Sequence, residues 1–174
     1  MTDRERRLAT KIAFVVGSRW SKELAALYAR SDHRPVNHTI DLDILSDVID
    51  LDIGDRNLTE CISRERVFPF ISDLLAALAR SRHSPTQKVF IESGDEPWEF
   101  AILGRDPDAV WFSLYGIDSG REIICHDLPL HRGALERAAL DAAEVLLTEL
   151  ARVAPGLSDA REATRLRASR DALE

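Results

Sequence analysis

Two short runs of aspartate alternating with aliphatic residues are the most unusual chemistry in the chain. Asp41 and Asp43 lie between Ile40, Leu42 and Ile44, and Asp50 and Asp52 lie between Ile49, Leu51 and Ile53. A period of two is the signature of a half-buried strand. The intervening Leu45-Ser46-Asp47-Val48 has the length of a hairpin loop. Pairing Ile44 with Ile49 sets Asp43 opposite Asp50 and Asp41 opposite Asp52, with Asp47 at the tip and Asp55 just beyond. Like charges facing each other across strands are destabilising. Such a face costs stability unless something positive answers it: a basic partner protein, a neighbouring Lys/Arg row or a cation. The other reading is that the hairpin is simply solvated, or that the two strands do not pair with each other at all. Calcium suits it poorly, because paired strands do not wrap an ion and the run from Asp50 to Asp55 lacks the loop spacing and terminal glutamate of a calcium loop. Asp41, Asp43, Asp47, Asp50 and Asp52 are therefore candidate partner-binding residues.

Other reactive residue types do not assemble into a recognisable catalytic site. Cys125 and His126 are adjacent on a predicted strand, so their side chains point to opposite faces and cannot form a nucleophile–base hydrogen bond. His126 and His131 lack the i, i+4 spacing of a helical zinc pair, and His33, His38 and His83 fall in loops or element ends. No catalytic residue, metal or cofactor is assigned. The stretch from Val15 to Lys22 has the general form of an anion-binding turn, a strand followed by Gly17-Ser18 and a helix start, without the spacing of either nucleotide-binding glycine motif. Trp111 and Tyr115 share one face of a strand whose other face carries Val110, Phe112 and Leu114. Burial of the pair under the N-terminal helices is one expectation. An exposed aromatic patch that anchors a partner is the other.

The elements that must carry these residues follow from periodicity. Residues 12–16 fit either a helix turn or a short buried strand. A helix is expected from Ser21, as N-cap, to about Arg30, and another from about Pro69 to Arg82. Four strands then follow through short turns, at Lys88–Ser93, Trp98–Gly104, Ala109–Ile117 and Arg121–His126, which forces an antiparallel meander. After Pro129 the period returns to 3.6. Leu135, Ala139, Ala142, Leu146, Leu150 and Val153 mark one face of a long helix that ends at Pro155-Gly156. Residues 158–174 form an Arg-rich helical pattern with few apolar positions, read as a surface tail in which Arg161, Arg165, Arg167 and Arg170 are diluted by acids. The fold class is α+β: a four-stranded antiparallel meander plus an acidic β-hairpin, packed by the long C-terminal helix and N-terminal helices. Residues 1–157 form one domain and 158–174 a charged helical tail.

Composition bounds the function. The 174 residues carry a net charge of −7, with 45% hydrophobic and 30% charged residues. That balance favours a basic partner and disfavours nucleic acid. Two cysteines, Cys61 and Cys125, make no disulfide framework and are read as reduced and partly buried. No apolar run is long enough for a membrane span and none has the form of a signal peptide, which points to the cytoplasm. The architecture and acidity are compatible with several small bacterial α+β families, toxin-neutralising immunity proteins among them. The leading expectation is a non-enzymatic protein-binding domain of the immunity/antitoxin or adaptor kind, using an acidic surface. One alternative is a small-molecule-binding domain or enzyme with a pocket between the sheet and the long helix, lined by the aromatic strands. Another is a self-assembling structural subunit joined through the Trp111/Tyr115 face and the tail as a homo-oligomer.

Overall fold

The computed structural model describes residues 9–31, 40–59, 65–84, 86–92, 98–104, 107–116 and 122–174. The charged N-terminal segment, the loop at 32–35, Cys61, His33, His38 and the turns at 94–97 and 118–120 lie outside the described residues.

The ambiguous first segment is a strand, β1 (Ile12–Val16), whose β-branched side chains suit a pleated surface. Helix α1 (Arg19–Arg30) follows after Gly17 and Ser18. Its N-cap is Ser18 rather than Ser21, and Ser21 Oγ instead donates back to the Ser18 carbonyl at 3.1 Å. Short strands β2 (Ser46–Asp47), β3 (Ile49–Ile53), β4 (Arg56–Asn57) and β5 (Glu65–Arg66) precede helix α2 (Val67–His83). The predicted meander then appears as β6 (Lys88–Glu92), β7 (Trp98–Gly104), β8 (Ala109–Gly116) and β9 (Glu122–His131), in sequential antiparallel order. Helices α3 (Arg132–Val153) and α4 (Arg161–Asp171) complete an α+β fold.

The acidic hairpin does not form. β3 pairs antiparallel with β1, with Asp50 opposite Val15 and Asp52 opposite Ala13. Its other side pairs with β4 through the two-residue turn at Gly54 and Asp55, where Gly54 takes φ +65. Residues Leu42–Ile44 are a 3₁₀ turn, because Asp41 Oδ1 accepts the Asp43 backbone N–H at 2.9 Å and holds the chain out of an extended strand. β2 pairs with β5 instead. The alternation of β3 was real, but a distant apolar strand is a better partner than a second aspartate strand, since it removes the Asp–Asp oppositions.

One core runs between the four-stranded sheet and the helices. Val89 and Ile91, Phe100 and Ile102, and Val110, Phe112 and Leu114 come from successive strands and are buried. Phe100 sits between Phe70 of α2 and Phe112, with ring centroids 5.3 and 5.1 Å away. The face of α3 anticipated from its period is buried at Leu135, Ala139, Ala142, Leu146 and Leu150. The expected surface tail is a correction: α4 packs on α2 and α3, with Ala163, Leu166 and Leu173 fully buried. Arg82 fastens the chain end. Its Nε and Nη2 donate to both carboxylate oxygens of Glu136 at 2.9 and 2.7 Å, and its Nη1 donates to the Leu173 carbonyl. Buried apolar side chains and ion pairs from Arg161 to Asp43, Arg165 to Asp73 and Arg170 to Glu144 seat a helix whose exposed majority is charged.

Candidate functional site

The turn between β1 and α1 does hold an anion, and the anion belongs to the protein. Asp47 Oδ2 accepts the Trp20 backbone N–H at 2.9 Å, and Asp47 Oδ1 accepts that of Val48 at 2.8 Å. Asp47 is 7% exposed, so this is a buried carboxylate seated on the first turn of α1, where the helix dipole favours negative charge. A Cβ on Gly17 would fall 2.2 Å from Asp47 Oδ1, so only glycine lets the carboxylate approach. The helix start that gives this turn its anion-binding form is already capped from within. Asp47 is not a surface contact residue as the hairpin reading required.

Beside this turn lies an open groove of about 640 Å³, lined by Val16, Trp20 and Ser21 on one bank and by Asp141, Glu144, Val145 and Glu149 of α3 on the other. Val145 is 56% exposed. Glu149 is clasped by Arg152, whose Nε and Nη2 donate to it at 2.8 and 2.6 Å, and this pairing holds its carboxyl below the usual range. Glu144 approaches Arg170 at 3.5 Å. Asp141 has no hydrogen-bond or ion-pair partner among the described residues. Phe70 of α2 packs with Phe100 and Phe112 on the core face of the four-stranded sheet.

Asp50 and Asp52 do share a half-buried, outward face of the small sheet, beside the exposed Ala13 and Val15. Lys11, at the end of that face, is engaged by Asp55 at 3.4 Å. Asp41 and Asp43 are elsewhere, together with Glu162 of α4, their carboxylate oxygens within 4.8 Å of one another. Arg161 answers that cluster. Its Nη2 donates to Asp43 Oδ2 and its Nε to Glu162 Oε1, both at 2.7 Å, and this pairing raises its own pKa. The five aspartates thus separate into a helix cap, an arginine-bridged cluster and one outward-facing pair.

The outer face of the four-stranded sheet collects the remaining candidates. Tyr115 is buried and Trp111 half-buried, while α1 makes its main contacts with α3 and β2. Lys88 covers Tyr115, its Nζ 3.1 Å from the phenol oxygen and 5.3 Å from the ring centre, and His126 stands edge-on to the ring. Tyr115 is therefore not an exposed anchor. Next to it Asp127 takes φ +49 at an irregularity in the β8–β9 ladder, its backbone N–H donating to Ser113 Oγ at 3.0 Å. Ser113 contacts Asp127, and Asp127 contacts His126 at 3.5 Å. The order serine–aspartate–histidine sets a carboxylate against the hydroxyl at a long 3.4 Å and leaves the imidazole on its far side, so it is not the serine–histidine–aspartate arrangement of an activated nucleophile. Burial pushes the Cys125 thiol pKa up, away from a reactive thiolate.

Comparison with protein families, with curated proteins and with solved structures found no match for this chain. The groove and the roles of Arg82 and Arg161 escaped sequence reasoning, since each joins residues more than fifty positions apart. No sequence signal pointed to Asp47, because Ser18 and Ser21 beside Trp20 each read as a sufficient cap for the helix start. No helix among the described residues is long and apolar enough to cross a membrane.

Proposed function

We propose that this protein is a binding protein that engages a basic partner through carboxylates flanking β1. The observation that carries the reading is the state of Asp50, Asp52 and Asp141. Every other charged cluster described above has an internal answer: Arg161 for Asp43 and Glu162, Arg152 for Glu149, Arg82 for Glu136. These three aspartates have none among the described residues, and exposed Val15 and Val145 lie beside them. Carboxylates next to exposed aliphatic surface suit a partner that brings both positive charge and apolar contact, and charge complementarity would speed its association. This relocates the acidic surface from a hairpin to two flanks of one strand.

Affinity capture from the native host, at low and high salt, tests it. Wild type should retain a basic protein that the Asp50→Asn/Asp52→Asn/Asp141→Asn variant retains less, with the difference shrinking as salt rises. An identical set of captured proteins for both chains, at both salt levels, would sink the reading.

A further inference from the structure

The sheet of β1, β3 and β4 has an uncovered outer face. Along β3 burial alternates: Ile49, Leu51 and Ile53 turn to the core, and Asp50 and Asp52 turn outward. Val48, just before the strand, keeps that alternation and is 38% exposed. β1 sets Val15 opposite Asp50 and Ala13 opposite Asp52, and both are exposed, Val15 at 49%. Five large hydrophobic side chains stand exposed among the described residues, and Val15 and Val48 bring two of them to this one patch. At the other end of the face a concavity of about 430 Å³ opens over Ala13 and Asp52, walled by Lys11, Gly54, Asp55 and Asn57. The carboxylates of Asp50 and Asp52 have no hydrogen-bond or ion-pair partner among the described residues. Lys11 is engaged by Asp55, and Arg56 stands opposite Ile53 and so belongs to the other side of the sheet. The face therefore sets Asp50, Asp52 and Asp55 against a single lysine, with an aliphatic pair at one end.

We infer that this face docks a helix of the basic partner, one that carries an aliphatic residue and, four and eight residues from it, arginine or lysine. A sheet face presents side chains and no free backbone groups. It therefore takes an element whose own backbone bonds are already satisfied, which a helix is and a single strand is not. The dimensions agree. Residues two apart on β3 lie about 6.7 Å apart, and residues four apart on a helix about 6 Å, so a helix laid along β3 keeps pace with Val48, Asp50 and Asp52. Its aliphatic residue meets Val48 and Val15, its first cation Asp50 and its second Asp52. Ala13 is short, and the concavity beside it has room for the stem of the second cation. Both carboxylates are half-buried, so a cation brought over them is screened less by salt than one at a fully exposed pair. The inference rests on the proposed basic partner and names the element by which it binds and the face that receives it. Asp141 lies on α3, outside this face.

The probe is a blocked peptide of alanine and glutamine, about seventeen residues long so that it holds a helix in water, with leucine, arginine and arginine at positions i, i+4 and i+8. Titrated into the full chain at low salt and followed by NMR, it should shift the amides of Ala13, Val15, Val48, Asp50 and Asp52. Its affinity should fall roughly three- to tenfold in the Asp50→Asn/Asp52→Asn variant, the scale of two exposed ion pairs. Val15→Lys, a change at an exposed position, should weaken it by a similar factor. So should moving the two arginines to the opposite side of the helix at constant composition. Equal affinity for a version broken by a central proline overturns the helix and leaves a basic partner standing. Shifts confined to the surroundings of Asp141, and indifferent to the Asp50→Asn/Asp52→Asn change, overturn this face and again leave the basic partner standing. No shift anywhere at millimolar peptide and low salt overturns both. A chain that sediments as a dimer, and returns to a monomer in Val15→Lys, overturns the outside partner in favour of a second copy.

Discussion

Asp47 shows how much one side chain can settle. It answers the first turn of α1 from another part of the chain, and Gly17 makes room for it. Neither residue reads as functional once the other is in view. Removing the carboxylate strands a buried N–H, so Asp47→Ala should cost about 1–3 kcal/mol. Gly17→Ala should cost a similar amount by a different route, since its Cβ would displace the carboxylate by steric contact. Once Asp47 is alanine, most of that steric penalty disappears. A double-mutant cycle measured by urea denaturation should therefore show the two losses to be markedly less than additive. Additive losses would mean that Gly17 is required for its backbone alone.

At the scale of elements, legibility followed the kind of interaction. The meander β6–β9 and the helix α3 were visible because their apolar period is local and their turns are short. β9 runs five residues beyond its expected end and takes in Pro129, which an edge strand tolerates. β3 was legible as a strand, but its partner was not, because alternation shows which face is buried and not which strand lies alongside. The same limit scattered the five aspartates. Helix α4 was misjudged because its mean composition is polar, while its apolar attachment comes from a few positions, Ala163 and Leu166 within it and Leu173 just beyond. That reading has a direct check. Leu166→Ala should destabilise the whole protein by about 2–5 kcal/mol in a denaturant melt, as a cavity in a shared core does. A surface tail would lose less than half a kcal/mol, on the usual scale of surface changes. The melt should remain a single transition, because α4 packs on both α2 and α3.

Over the whole molecule, a net charge of −7 is distributed in two ways. Some carboxylates are held by arginines from distant elements, and these pairs tie the chain end to the body. Others, at Asp50, Asp52 and Asp141, face outward without such a partner among the described residues. The two kinds should respond oppositely to removal of charge. Asp50→Asn/Asp52→Asn/Asp141→Asn removes self-repulsion and breaks no described ion pair, so stability should stay the same or rise by tenths of a kcal/mol, roughly the scale of exposed like-charge neighbours. Arg161→Gln instead leaves Asp41, Asp43 and Glu162 crowded within 4.8 Å with their bridging cation gone. It should lower stability, and more at low salt than at high salt, because screening relieves the repulsion. Urea melts of both variants at two ionic strengths give the comparison. A loss of stability in the Asn variant would mean that its aspartates serve the fold, and the case for a waiting basic partner would lose its footing. Stability retained there and lost in Arg161→Gln would separate charge used to hold the protein together from charge left free to meet another molecule.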